Sequence, residues 1–459
     1  MIEKTRFWHI ARYAVPAVVI FWILIRVAFH EKSRFAELFG QHRNEKTIFV
    51  DDFLLLEVDG EFDGSAIETL CNNKTWTPGI VLTCEAVPGG LADVKNGILS
   101  CIRTAIEMGS SAGVVLPGIV RRSHVDMSVI VPGDVGPRRG VSLGHFFDLG
   151  HLNSSLATYC PQMAVYESMN SFFDKPSMLE ATKLNIYKLP GVETLKTLHD
   201  RNTRVLAHPE LLGQQIRTFL NRKSPPGERR YPYHVHLVPT PQNAFPAATT
   251  ESAALYANFG RLLRVRNDLR RLAAAALFNL HTAFALRLDL HSGIRADAFA
   301  AVELRTEKDA TKAAFPSYTV QASDALSYLT NNNMSVAFLG TGATVANTTA
   351  FVKRAAEFDI NVVTKEDLVE GMDASLLGSL SWDQLGLVDY ELMMHAGLFT
   401  GTARSSFAWN LALRRQHAFG TPGPANSSHL DGHIRWHDRF STLYGNGGIG
   451  DAFEQTIWP

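Results

Sequence analysis

The chain has 459 residues, more than one hydrophobic core usually serves, so two domains with appended segments are expected. Hydrophobic residues make up 46% of the sequence and aromatic residues 10%, a globular composition that argues against disorder. The 44 Lys and Arg against 45 Asp and Glu leave a formal net charge of -1. Overall charge therefore gives no reason to expect nucleic-acid binding, and any anion site must be local.

An apolar run near the N-terminus predicts a membrane anchor. Tyr13 to Ile25 contains no charge, and with Val27–Phe29 the apolar length is about 17 residues, at the short end for a spanning helix. A cleavable signal peptide is the alternative, but no small-x-small cleavage site follows Phe29. We expect a cytoplasmic tail (1–12), a transmembrane signal-anchor (13–29) and a stem (30–74), with the remainder in the lumen of the Golgi or endoplasmic reticulum.

The cysteines and glycosylation sequons are compatible with a location in the lumen but do not require it. Four cysteines, none in a CxxC pair, exclude a zinc ribbon and a thioredoxin motif. They could form two disulfides in any of three pairings, or remain buried free thiols. The cysteines are Cys71, Cys84, Cys101 and Cys160, and the N-x-S/T sequons are at Asn73, Asn153, Asn333, Asn347 and Asn426.

A parallel α/β pattern begins near Trp76. Gly79–Thr83 predicts a buried strand, and the turn-forming CEAVPGG follows it. An apolar stripe from Val94 then predicts a helix that ends at Gly109, and GVVLPGIV predicts the next strand. Strand, glycine loop, helix and strand in this order are the unit of a parallel α/β sheet.

The middle of the chain predicts a loop and then helices. Prolines between 225 and 246 indicate a loop, which would include HVH at 234–236. The stretch from Glu251 to Phe284 is rich in Ala, Leu and Arg and predicts helix with a break at Gly260.

The second half repeats the alternation of strands and helices. AFAAVELR, MSVAFLG, INVVT and LFTG predict strands, and the segments around Asp324–Leu329, NTTAFVKRAAEF, LVDYELMMHA and SSFAWNLALRRQ predict helices. We expect an α/β fold of two Rossmann-like halves, 75–290 and 291–459, that face a cleft with ligands at the carboxyl ends of strands. Neither GxGxxG nor GxxxxGK[ST] occurs, so no dinucleotide fingerprint or P-loop is present.

Three segments point to one phosphate-bearing ligand. Arg305 follows a predicted strand and could grip a phosphate through two hydrogen bonds, or could pair with a neighbouring acid. Ser405 and Ser406 follow a glycine loop at a helix start, where hydroxyl and N–H groups bind anions, although a capping serine is the ordinary alternative.

The third segment is CEAVPGGLADVKNGI. Gly89 and Gly90 would let the backbone approach a ligand closely. Asp93 stands at the helix start, where the helix dipole favours a carboxylate that either caps the helix or acts in chemistry.

In their order, these segments resemble the GDP-fucose protein O-fucosyltransferase family, in particular its fungal and plant branch. The resemblance covers about residues 75 to 459 and rests on several short motifs. They are WTPG at 76–79, GGLADVKN at 89–96, CIRTAIE at 101–107, CPQM at 160–163, ELRTEKD at 303–309, DYELM at 389–393 and SSFAWNLALRR at 405–415.

The resemblance implies a GT-B-like fold and an inverting, metal-independent transfer of fucose from GDP-fucose to a protein or glycan hydroxyl. Arg305 would bind the β-phosphate, and Ser405, Ser406 and Phe407 would line the nucleotide pocket with Gly89, Gly90 and Asp389. No cofactor and no metal are expected, and the chain has no DxD motif for Mg²⁺ or Mn²⁺. A metal site at His433 and His437 lacks a third ligand.

Three departures from the family pattern leave two interpretations open. Glu303 stands where the family has His, Asp93 where it has Asn, and Lys95 where it has Arg. Asp93 could be the base that deprotonates the acceptor, and Glu303 would weaken diphosphate binding unless it is paired. The alternative is a membrane-anchored, inactive fucosyltransferase-like pseudo-enzyme with a binding or scaffold role.

Overall fold

The computed structural model describes residues 45–122, 129–131, 140–196, 204–342, 344–419, 433–445 and 450–459. The chain divides into two compact units, Met1–Asp51 and Asp52–Pro459. Of the first unit only residues 45–51, the start of a helix, are described. The predicted cytoplasmic tail and signal-anchor, 1–29, lie outside the described residues. Within the described ranges, no helix has the length and apolarity needed to cross a bilayer.

The first sheet of the second unit has five parallel strands in the order β3-β2-β1-β7-β4. Every residue of the strand Ile80–Cys84 is buried, as expected for a parallel strand that is covered on both faces. These strands are β1 (Ile80–Cys84), β2 (Gly113–Val115), β3 (Val165–Tyr166), β4 (Thr182–Leu184) and β7 (Tyr233–Leu237), and β5 (Thr194–Lys196) pairs with β6 (Arg204–Leu206) in a separate hairpin-like sheet.

The second sheet has six strands in the order β10-β9-β8-β11-β13-β12, all parallel except β12, which runs antiparallel to β13. Its strand β8 (Ala300–Leu304) is fully buried in the centre. The other strands are β9 (Val336–Thr341), β10 (Asn361–Val363), β11 (Leu398–Thr402), β12 (Ile434–His437) and β13 (Ser441–Tyr444). The predicted α/β class with parallel sheets is therefore confirmed, and the division into donor and acceptor halves stays a prediction.

Helices connect the strands. The α-helices are Glu45–Leu55, Ser65–Asn72, Leu91–Met108, Leu149–Tyr159, Leu212–Lys223, Ala247–Thr250, Ala253–Phe259, Asn267–Ala283, Lys308–Lys312, Tyr318–Asn331, Val345–Ala356, Lys365–Leu368, Gly371–Ser379, Trp382–Met394, Ser406–Phe419 and Gly450–Thr456. Short 3₁₀ helices are Leu143–His145, Met169–Phe172, Pro176–Met178, Ile186–Lys188, Pro209–Leu211, Pro226–Glu228 and Gly260–Leu262.

The structure differs from the sequence interpretation in three places. HVH at 234–236 lies in β7 and not in a loop, and His234 is buried with its Nε2 2.8 Å from the Thr83 hydroxyl. The range 30–74, whose sequence showed no strong periodicity, contains the helices Glu45–Leu55 and Ser65–Asn72, while its role as a stem stays a prediction. All four cysteines are oxidised, so the alternative of free thiols is wrong; the pairs are Cys71–Cys160 and Cys84–Cys101.

Candidate functional site

A pocket of about 460 Å³ opens where the carboxyl ends of the two sheets meet. Its lining comes from the segments that follow β1 and β2 in the first sheet, from the ends of β8 and β9 and the segments after β8, β9, β10 and β11 in the second, and from the helix Trp382–Met394. The volume lies within the range of small-molecule sites, and the carboxyl edge is where parallel α/β sheets bind ligands. Of the residues predicted from sequence, those in the pocket lining are Gly89, Gly90, Asp93, Arg305, Asp389, Ser406 and Phe407.

The turn after β1 brings Asp93 into the pocket. Gly89 has a φ of +131°, which favours glycine, and a Cβ there would lie 2.9 Å from the Asp93 Cβ. The Gly90 N–H donates to Asp93 Oδ2 at 3.1 Å, so the Asp93 carboxylate caps the N-terminus of the helix Leu91–Met108. The Cys84–Cys101 disulfide joins the end of β1 to this helix, so it closes the segment that carries both glycines and Asp93.

Asp93 shares the pocket with Ser406 from the second sheet's side, and the Ser406 side chain favours the ionised form of the Asp93 carboxylate. Burial raises the pKa of Asp93 above its ordinary value, and the Ser406 side chain and the Gly90 N–H oppose that rise only in part. The helix dipole alone predicted a readily ionised carboxylate. Because its pKa is raised, Asp93 is a stronger base than the helix dipole alone would make it.

Arg305 follows β8 directly and is held in place by two acids. Its Nε donates to Glu307 Oε2 and its Nη2 to Asp309 Oδ2, both at 3.0 Å, and its guanidinium carbon lies 5.3 Å from the Phe315 ring centre. Burial opposes its charge, but Glu307, Glu303 and Asp309 raise the pKa of Arg305 above its ordinary value. Arg305 therefore both pairs with neighbouring acids and lines the pocket.

The helix Trp382–Met394 contributes Asp389. Its Oδ2 accepts from the Lys365 Nζ at 2.9 Å, whereas its Oδ1 has no hydrogen-bond partner among the described residues. Burial raises the pKa of Asp389 to about 6, against the opposing effect of Lys365. One oxygen of this buried carboxyl group therefore lacks a hydrogen-bond partner among the described residues.

Ser405 differs from the two residues that follow it. Ser406 and Phe407 line the pocket, but Ser405 is 1% exposed and is absent from the lining. The Ser405 hydroxyl donates to Glu303 Oε1 at 2.7 Å and accepts from the Ala408 N–H at 3.1 Å. Ser405 therefore caps the helix Ser406–Phe419 and supports Glu303, instead of lining the nucleotide pocket as the sequence predicted.

Acids outnumber cations in the described pocket wall. Seven carboxyl groups and three cations line it, and each cation is ion-paired to carboxylates of the same wall. Asp93 and Glu303 are the two acids without such a pair. The pairs are Arg122 with Asp383, Arg305 with Glu307 and Asp309, and Lys365 with Asp389 and Glu366.

Sequence reasoning missed several of these wall residues. Arg122 reaches Asp383 across the pocket, with its Nε donating to Asp383 Oδ2 at 3.2 Å. Arg122 follows the predicted strand GVVLPGIV, so its position at a strand's carboxyl end was the available signal. Lys365 follows the short strand β10, and Trp382 begins the helix that carries Asp389. Nothing in the local sequence of either residue distinguished it.

The two histidines near the C-terminus have separate partners. His433 Nε2 lies 2.8 Å from Asp324 Oδ1, and His437 Nδ1 lies 2.9 Å from the Thr442 hydroxyl. Over the described part of the chain, no group of three or more His, Cys, Asp or Glu is arranged to hold a metal ion.

No protein-family model and no curated protein matches the chain. Similar solved structures include POFUT1 in complex with GDP-fucose, at 14% identity and a TM-score of 0.46 over 81% of this chain and 100% of that one. NodZ α-1,6-fucosyltransferase soaked with GDP-fucose is 11% identical, with a TM-score of 0.36 over 73% and 92% of the two chains. Fucosyltransferase NodZ from Bradyrhizobium is 12% identical, with a TM-score of 0.33 over 71% and 87%.

Proposed function

We propose that the pocket binds GDP-fucose and that the protein transfers fucose to a hydroxyl of a protein or glycan acceptor, with inversion and without a metal ion. One observation carries this proposal: Gly89–Gly90, Arg305, Asp389 and Ser406–Phe407, widely separated in sequence, line a single pocket. The choice of fucose, the inversion and the GT-B-like division into two halves rest on the motif resemblance.

The chemistry of the wall suits a nucleoside diphosphate. Arg305 offers a guanidinium to the diphosphate, and it would neutralise the charge that grows on the departing GDP. Phe407 and Trp382 offer aromatic surface to a base, and the unpartnered Asp389 Oδ1 can accept from a donor edge such as that of guanine.

Binding of GDP tests the proposal first. A ligand that binds only the folded state stabilises it in proportion to its concentration over Kd, by about 2.7 kcal/mol at 100 times Kd. We expect GDP to raise the melting temperature in a concentration-dependent manner, and UDP at the same concentrations to raise it less. An unchanged melting temperature up to millimolar GDP would contradict the proposal.

The same wall also supports a second candidate, an inactive protein that keeps the fold. The excess of carboxyl groups, with every described cation already paired, is the observation that favours it, because such a wall repels a diphosphate unless protons or rearranged ion pairs compensate. The GDP titration separates the two candidates when it is combined with measurement of GDP release from GDP-fucose.

Asp93 is our candidate for the base. It stands on the side of the pocket that belongs to the first sheet, where an acceptor hydroxyl could approach the sugar opposite the departing phosphate. Its raised pKa brings its basicity closer to that of an effective general base.

Asp93→Asn should therefore slow hydrolysis of GDP-fucose, with water as acceptor, by about 100-fold, since general base catalysis contributes at least this much. The affinity for GDP-fucose should change little. Asp359→Asn is the matched control, because Asp359 is exposed and its positive φ of 58° suits Asn. Unchanged or faster hydrolysis in Asp93→Asn would show that no carboxylate base acts there.

We further propose a type II, single-pass protein of the Golgi or endoplasmic reticulum, anchored by residues 13–29. The uncharged run from Tyr13 to Ile25 supports this, and two disulfides fit an oxidising lumen. Digestion of the C-terminal part by protease in sealed microsomes, without detergent, would contradict the topology.

A further inference from the structure

Glu303 occupies a gap in the second sheet that two glycines create. In the register of β8 and β9, Glu303 pairs with Gly340. On the other side, a Cβ on Gly401 of β11 would lie 3.3 Å from the Glu303 Cβ and 3.1 Å from its Oε2. Across three adjacent strands at this level, Glu303 therefore supplies the only side chain, at the floor of the pocket that it lines.

One oxygen of this buried carboxyl group is satisfied and the other is not. Oε1 accepts the Ser405 hydroxyl hydrogen at 2.7 Å. Oε2 makes no hydrogen bond within the described ranges, although Glu303 is only 5% exposed; the Thr402 backbone N–H is near enough to the carboxyl group to favour its ionised form. A buried polar oxygen without a partner is costly, so a ligand that supplied one would gain from it.

The charged groups around Glu303 come from several elements. Arg305 and Glu307 follow it on the same segment, and Asp389 projects from the helix Trp382–Met394 with Lys365 paired to it. Behind it, Asp324 of the helix Tyr318–Asn331 and Tyr444 of β13 line a small cavity that Glu303 also borders. Arg305, Lys365 and Arg122 are committed to other carboxylates, and Asp93 and Asp383 complete the acidic wall with Asp309 and Glu366.

This environment favours the protonated acid. Burial raises the pKa of Glu303 to about 7, with Arg305 and the Ser405 hydroxyl opposing the rise. A diphosphate entering the pocket adds negative charge close by, which raises the affinity of Glu303 for a proton further. A protonated carboxyl group can donate a hydrogen bond to a phosphate oxygen, whereas the carboxylate can only accept one and repels it.

We propose that Glu303 binds the diphosphate as a neutral carboxylic acid, which donates a hydrogen bond from Oε2, so that each diphosphate bound takes up one proton. This inference rests on the proposed function, because it concerns the diphosphate of the same donor. It gives Glu303 a binding role and removes the conflict that its charge would otherwise create beside Arg305.

Calorimetric titration with GDP-fucose between pH 6 and pH 8.5 tests the inference. Both phosphates of this probe are esterified, so the ligand itself does not titrate in that range. We expect affinity to fall by up to about tenfold per pH unit above the pKa of Glu303 in the free protein, as long as the bound Glu303 keeps its proton. Near pH 8, titrations in buffers of different ionisation enthalpy should show uptake of close to one proton per site.

Glu303→Gln keeps an N–H donor at every pH. Its affinity should be nearly independent of pH, with no proton uptake, and should exceed that of the unmodified protein at pH 8.5. Glu357→Gln is the control and should keep the full pH dependence, because Glu357 is an exposed residue directly after the helix Val345–Ala356.

The possible failures can be told apart. Binding without proton uptake, or with proton release, in the unmodified protein would overturn the inference and leave the proposed function standing. Uptake that persists in Glu303→Gln would assign the proton to another acid, such as Asp93 or Asp389, and would also overturn it. Absence of GDP-fucose binding at every pH in both proteins would overturn the proposed function and the inference together.

Discussion

Replacing Arg305 with alanine is expected to slow the release of GDP from GDP-fucose by about 100-fold or more, as loss of one preorganised donor to a developing negative charge does elsewhere. Glu307 and Asp309 fix the guanidinium at the carboxyl end of β8, so it needs no reorientation when the diphosphate departs. The substitution also leaves these two acids without their cation at the pocket wall, which adds repulsion of the diphosphate.

The rate of GDP release by Arg305→Lys should lie between the rates of the unmodified protein and of Arg305→Ala. The lysine ammonium keeps the charge but cannot hold both acids and a phosphate oxygen in one planar fork. Arg354→Ala, in an exposed position on the helix Val345–Ala356, is the control for loss of an arginine. Melting temperatures of all variants separate a catalytic loss from unfolding. Full activity in a folded Arg305→Ala protein would remove Arg305 from the mechanism, and activity abolished by EDTA would overturn the metal-free scheme.

The largest stability effect is expected at Asp59. Its carboxylate accepts from the Arg414 Nε at 2.7 Å and Nη2 at 3.1 Å, and lies 3.3 Å from the Arg261 Nε. The Asp59 side chain is 6% exposed and that of Arg414 12% exposed. Without Asp59, the buried Arg414 keeps the more distant Glu57 carboxylate, 3.8 Å from its Nη2, so Asp59→Ala should lower the free energy of unfolding by about 3 kcal/mol.

The contribution of Asp59 should also depend on pH. Burial works against its charge, but Arg414 and Arg261 lower the pKa of Asp59 from 3.8 to about 2. A folded-state pKa below the unfolded value gives stability that is present above about pH 4 and is lost as pH falls towards 2, by about 2 kcal/mol for a shift of this size.

Denaturant unfolding of the oxidised protein measures both effects of Asp59. Asp174→Asn is the matched control, since Asp174 pairs only with Lys175 on the surface and should leave stability unchanged. Equal stability of Asp59→Ala and the unmodified protein at pH 7 would show that the network around Arg414 does not hold the segment near Asp59 to the helix Ser406–Phe419.

The alternating strands and helices were largely predictable because buried parallel strands are continuous apolar runs. β1, β8, β9 and β11 all fall where GIVLT, AFAAVELR, MSVAFLG and LFTG placed them. β7 was not predictable in the same way, because the prolines around it indicate a loop and its two histidines look polar. Both histidine rings hydrogen-bond to the hydroxyl of Thr83 on the neighbouring strand, each at 2.8 Å.

The location of the pocket at the strand ends was predictable from sequence, but the protonation states of its acids were not. Arg305 and Asp93 follow strands or turns, so topology alone brings them to one edge. The partner of Ser405 could not be foreseen, because it depends on a buried carboxyl group 102 residues away in sequence. The pKa values of Glu303 and Asp93 depend on how deeply packing from other elements buries them, which no local pattern reports.

A crystal structure with GDP bound tests the central claim most directly. The account predicts that the diphosphate lies between Arg305 and Ser406, with the base near Asp389 and Phe407. GDP bound in a different cavity, such as the one lined by Thr83, Glu167 and His236, would contradict it.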